Sequence, residues 1–147
     1  MHRANDIANW FLAWADANDA EISNLKMQKL LYYAQGHSLR ESGSLLFQDQ
    51  IQAWAHGPVV PSLYHRFKAY GKLPIDADAE VPDGFDWDDF QDAQDLLMRV
   101  WNTYGSQEAW ALRNKTHHES PWIDAFNSGE HNCVITAESM RDFFVKA

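Results

Sequence analysis

The chain has 147 residues, 46% of them hydrophobic and 14% aromatic, with a formal net charge of −9 and one cysteine, Cys133. That length and apolar content suit a single domain, residues 1–147, with a real core, and exclude a disordered chain. Without a Lys/Arg run so acidic a chain is not expected to bind nucleic acid. A lone cysteine excludes an internal disulfide, and with no apolar leader or span-length segment the expectation is a cytoplasmic protein off the membrane.

The first helix is expected from Asn5 or Asp6, with Ile7, Ala8, Phe11, Trp14 and Ala15 at helical spacing and Asn18-Asp19 as its end. Ser23 is a good N-cap for a second helix, whose stripe of Leu25, Met27, Leu30, Leu31, Ala34 and Ser38 runs to a stop at Gly43. Lys26, Gln28, Lys29 and Gln35 fall on its remaining arc, which reads as open to solvent or a partner. From Phe47 to Ala55 the period changes to two, and Ile51, Ala53 and Ala55 alternate with Gln50, Gln52 and Trp54 as in a short strand. Gly57-Pro58 then reads as a turn, and Pro61 suits the first turn of a third helix that bears Val60, Tyr64 and Phe67 and ends at Tyr70.

Residues 72–87 read as a loop, and from Asp76 to Asp95 there are nine acidic residues and no Lys or Arg. Phe90, Leu97, Val100, Trp101 and Tyr104 mark a fourth helix stopped by Gly105, and Ser106 is expected to cap a fifth with Trp110 and Leu112. Ser120-Pro121 reads as the cap and first residue of a sixth, stopped by Gly129. Cys133-Val134-Ile135 suits a second strand, and Thr136 caps a last helix bearing Met140, Phe143 and Phe144. The expected fold is mainly α: a compact bundle of about six or seven helices with a small two-stranded antiparallel β-ribbon lying on them.

Catalytic patterns are absent. There is no CxxC, HxxxH or HExxH to complete a metal site from His117-His118-Glu119 or His131-x-Cys133, no Gly-rich phosphate loop and no GxSxG. No catalytic residue, metal or cofactor is nominated, and a small-molecule enzyme using His56 or His117 is the minority reading. The Gly57-Pro58 turn with Trp54, His56 and Tyr64 admits two readings, a core-filling turn or an aromatic rim offered to a partner, and Trp54 falls on the polar side of its strand. Asp88 and Asp89 suit the start of a helix, where negative charge is favoured, and equally suit steering of a basic protein partner.

The segment Ile22-Ser-Asn-Leu-Lys-Met-Gln-Lys-Leu-Leu-Tyr-Tyr-Ala-Gln-Gly36 resembles the signature helix of the Panacea antitoxin domain, the SocA-like family also met as a phage-associated GepA-type protein. The resemblance continues through Leu46-Phe47, Ile51-Gln-Ala-Trp54, His56-Gly-Pro-Val-Val-Pro-Ser-Leu-Tyr64 and Phe67-Lys-Ala-Tyr-Gly71, then Thr116-His117, Ser120-Pro121-Trp122 and Val134-Ile-Thr136. His37 departs from it, standing where a bulkier aromatic is expected. The resemblance implies an antitoxin that neutralises a cognate protein toxin by direct binding, and as an alternative an adaptor that delivers the toxin to a cellular protease. With that implication, partner contacts are expected from Trp54, His56, Gly57, Pro58 and Tyr64, from Lys26 and Lys29, and from Asp88 and Asp89.

Overall fold

The Ser23 hydroxyl accepts the Lys26 N–H and starts the longest helix, α2 (Asn24–Ser42), and Gly43 ends it in the left-handed conformation at φ 72°. The computed structural model describes residues 1–147. Thirteen of the nineteen residues of α2 are buried, so the helix is an axle rather than a surface element. Around it pack α1 (Ala4–Ala17), α5 (Gln94–Tyr104), α6 (Ala109–Thr116) and α8 (Ala137–Lys146). Gly36 allows one of these approaches: a Cβ there would meet the Phe144 ring at 2.1 Å, so the missing side chain lets α8 lie against α2.

Burial on all sides forces a correction to the second helix. Gln28, Lys29 and Gln35 are not on an open arc; they are buried, and each turns its polar atoms to incoming backbone. Gln28 Oε1 accepts the Val60 N–H at 2.9 Å while its amide donates to Asn24 Oδ1. Gln35 donates to the Phe47 carbonyl and accepts from Leu46 N–H, both at 2.7 Å. Loop backbone carries donors and acceptors that no helix or ladder satisfies, and the α2 side chains satisfy them inside the core. Only Lys26 stays half-exposed; its ammonium donates to the Gly105 carbonyl and lies 5.6 Å from the Trp101 ring centroid.

The sheet has three strands, in the order β2–β1–β3, all antiparallel. β1 (Ile51–Trp54) pairs with β3 (Val134–Ile135) as the sequence implies, with Ile51 opposite Ile135. The additional strand is β2 (Gly57–Val59), whose register sets Trp54 opposite Gly57 and Ala53 opposite Pro58. Gly57-Pro58 is therefore strand, and the turn is the two residues before it, Ala55-His56. Pro58 is tolerated because β2 is an edge strand, where a missing N–H need not break a ladder. Gly57, at φ 113°, adopts a conformation that side chains rarely reach.

Elsewhere the expected helices form, with shifted ends. α3 (Pro61–Arg66) gives way to a 3₁₀ turn, Lys68–Tyr70. The expected loop at 72–87 contains α4 (Ala77–Glu80), capped by the Asp76 carboxylate, and Asp86 caps a further 3₁₀ turn, Trp87–Phe90. Ser106 does not cap α6, which starts behind Glu108, and Ser120 lies inside α7 (Ser120–Phe126) behind Glu119. Thr136 caps α8 through the Ser139 N–H. No helix is long and apolar enough to cross a membrane.

Candidate functional site

The two-residue turn Ala55-His56 projects His56 from the end of the β1–β2 hairpin, and Pro61 at the start of α3 brings Tyr64 back beside it. The Trp54 ring lies 5.0 Å from Tyr64 and 5.7 Å from His56, and the His56 and Tyr64 rings are stacked at 5.7 Å. All three side chains are half-buried, so the turn offers partly exposed aromatic surface on a hydrogen-bonded scaffold. The Trp54 indole donates to Gln52 Oε1 at 2.9 Å, which holds the ring on the strand's outer face.

The layer beneath comes from the late part of the chain. Trp122 Nε1 donates to the Trp54 carbonyl at 2.8 Å, and the His117 ring stacks on Trp122 at 3.9 Å. Phe126, exposed at the end of α7, also stacks on the Trp122 ring system, at 4.6 Å. The sequence reading missed His117, Trp122 and Phe126 as neighbours of the turn, since roughly sixty residues of chain separate them and no local pattern joins them.

Under the hairpin lies Lys29, fully buried, with Nζ donating to the Pro58 carbonyl at 3.0 Å. Burial, and then the nearby Arg113 guanidinium, pull its pKa from 10.5 down to about 7. Lys29, Gly57 and Pro58 thus shape the turn from within, and no side of them faces outward for a partner. His56 is lowered by burial and then by Lys29, Arg113 and His117; His117 is lowered by burial, then by Arg113 and Lys29.

The remaining histidine and acidic motifs separate in space. His118 bonds the Asn114 carbonyl, whereas Glu119 is buried and accepts from Tyr32 and Tyr33 hydroxyls at 3.0 and 2.9 Å. Burial raises the Glu119 pKa against the lowering by those two hydroxyls. No group of three or more His, Cys, Asp or Glu is placed to hold a metal ion. Asp88 and Asp89 are exposed on the Trp87–Phe90 turn, which is pinned by Phe90 in the core and by Trp87 edge-on to Trp10 and Trp14. Within the acidic block Asp76 and Asp86 cap turns, Glu80 pairs with Arg66, and Asp92 bonds His2. Asp88 and Asp89 have no such structural contact.

Against known proteins, the family model described as "Antitoxin SocA-like, Panacea domain" matches residues 27–123. The chain is 46% identical over 68 residues to "Antitoxin SocA" of Caulobacter vibrioides (strain NA1000 / CB15N). That match covers 46% of this chain and 36% of the relative, so the chain spans little more than a third of the curated protein it matches. No solved structure matches. The matched stretch runs from Met27 through the hairpin to Ile123, and so includes α2 from Met27 on, the aromatic turn and Trp122 beneath it.

Proposed function

Because the chain belongs to the SocA-like Panacea antitoxin family, we propose that it is an antitoxin that binds and masks a protein toxin, with the Trp54–His56–Tyr64 rim as the anchor of that contact. The observation that carries the reading is a cluster of half-exposed aromatic rings on the hairpin and α3, braced from below by Trp122 and Lys29. Aromatic anchors on a rigid base are the economical form of a binding hot spot, because little side-chain freedom remains to be lost. Asp88 and Asp89, free of internal partners, add a negative ridge that would speed the encounter with a basic toxin.

The test is co-expression with the small reading frame encoded beside this gene. That frame alone should arrest growth, the wild-type chain should restore it, and Trp54→Ala should restore it poorly while remaining folded by circular dichroism. A purified Trp54→Ala protein that binds the toxin with wild-type affinity moves the interface elsewhere. A frame that is harmless alone, or lethal despite the wild-type chain, removes the antitoxin reading for that pair.

A further inference from the structure

The hairpin conceals a cluster of basic groups for which the aromatic rim has no use. A Cβ on Gly57 would lie 3.0 Å from Lys29 Nζ and 3.1 Å from Thr116 Oγ1, so the ammonium and the C-terminal end of α6 meet at one point beneath the strand. One turn earlier on α6 is Arg113, whose carbonyl accepts from the Thr116 hydroxyl at 2.8 Å. His117 follows Thr116, and its stacking on Trp122, which is bonded to the Trp54 carbonyl, carries the ring to the hairpin that bears His56. Four groups able to hold positive charge therefore gather in one place on a chain of net charge −9.

No carboxylate pairs with any of them. The ion pairs of the molecule are His2–Asp92, Arg3–Asp6, Arg66–Glu80 and Arg99–Glu41. Glu119, two residues from His117, is taken by Tyr32 and Tyr33. The last-turn carbonyls of α6 favour Arg113 where it stands, but Lys29 and His56 come from other elements. Lys29 donates to the Pro58 carbonyl, but the polar atoms of the other three are largely without partners. His56 Nδ1 and His117 Nε2 are shielded from solvent without a hydrogen-bond partner. The half-exposed Arg113 guanidinium has one contact, to Asn114 Oδ1 at 3.2 Å, which leaves most of its five-donor fork unused. Burial and mutual repulsion disfavour the protonated forms of Lys29, His56 and His117 beside Arg113, and an anion placed among them relieves that cost.

We propose that His56, Arg113 and His117 form an oxyanion site that receives a carboxylate of the partner protein, with Arg113 as its forked donor and the two imidazoles beside it, while the buried Lys29 adds positive potential from beneath without touching the anion. This rests on the reading of the chain as a toxin-binding protein. Arg113 and the exposed Ala55 at the tip of the turn mark the side of entry. Planar carboxylates match the guanidinium fork, and the pairing is charge-assisted. The groups facing His56 are Lys29 of α2 with Arg113 and His117; those facing His117 are Arg113, Lys29, His118 and the Ala55 carbonyl. All the charged ones are cationic, so an arriving anion raises both imidazole pKa values and binding takes up protons. Affinity therefore rises as the pH falls.

The test needs no toxin. The full chain is titrated with sodium acetate, and separately with inorganic phosphate, at ionic strength held constant with sodium chloride, and the histidine ring protons are followed by NMR. Acetate should shift His56 and His117 saturably and leave the exposed His65 and His131 unmoved, with tighter binding at pH 6 than at pH 7.5. Arg113→Gln should weaken the titration about tenfold, the loss of one charge-assisted contact. Shifts equal to those in chloride alone, an unchanged titration in both Arg113→Gln and His117→Gln, or the absence of any pH effect overturn the proposal. A response to phosphate without one to acetate overturns the assignment to a carboxylate. In the neutralisation assay Arg113→Gln should lose protection that the exposed-site variant Lys115→Gln keeps. If acetate titrates normally but Trp54→Ala still neutralises, the aromatic rim is wrong and the anion site stands.

Discussion

Replacing Lys29 by Met should flatten the dependence of stability on pH between 7 and 9.5. The ammonium is fully buried, and its pKa falls from 10.5 in the unfolded chain to about 7 in the fold. Between those two values the unfolded chain holds a proton that the folded chain has released, so stability rises with pH across the window and levels off above the unfolded value. At about 1.4 kcal/mol per pH unit, moving from pH 7 to 9.5 adds about 3 kcal/mol to the wild type from this group. Met fills a similar volume and does not titrate, but it leaves the Pro58 carbonyl without its donor, which costs about 1–3 kcal/mol at every pH. At pH 7 the wild type carries a penalty of about 4 kcal/mol that Met escapes, so Lys29→Met should lead by about 1–3 kcal/mol there, and the wild type should gain about 3 kcal/mol on it by pH 9.5, where the two lie close. Urea unfolding followed by tryptophan fluorescence at pH 7, 8.25 and 9.5 measures this directly. Curves for wild type and Lys29→Met that stay parallel within about 0.5 kcal/mol would refute a depressed lysine beneath the hairpin.

Gly36→Ala should destabilise the chain by about 3 kcal/mol through the clash with Phe144, and Gly36→Ala combined with Phe144→Leu should recover a large part of it in the same unfolding assay. Gly57→Ala combines backbone strain at φ 113° with a contact of 2.6 Å to Lys29 Cε, and calorimetry should show a loss of about 2–4 kcal/mol. Asp88→Lys with Asp89→Lys should leave the fold intact, since both residues are exposed. In surface plasmon resonance against a basic toxin the pair should lower the association rate about tenfold at low salt and change dissociation little. An unaltered association rate removes the steering role.

Local chemistry in the sequence was enough to set most of the helices and much of the core. Ser23, Gly43, Pro61 and Thr136 act within one turn of themselves, so their cap and stop signals hold wherever the helix is placed. The aromatic turn residues Trp54, His56 and Tyr64 were legible too, because they lie within eleven positions of one another. Periodicity failed where an element is buried all round. Lys29, Gln28 and Gln35 are polar by type and buried by position, and only the loops that arrive from residues 46–60 make that burial tolerable by offering backbone partners. The third strand was hidden for a related reason. Gly57 and Pro58 carry turn propensity, and it took pairing with β1 and the Lys29 bond to the Pro58 carbonyl to hold them extended. Apolar stripes and the caps and stops at Ser23, Gly43 and Thr136 are thus properties of neighbouring residues, which the sequence by itself determines, whereas Ser106 and Ser120 do not cap the helices that follow them. The bringing together of Lys29, His56, Arg113 and His117 is a property of packing around α2, and only the tertiary structure decides it.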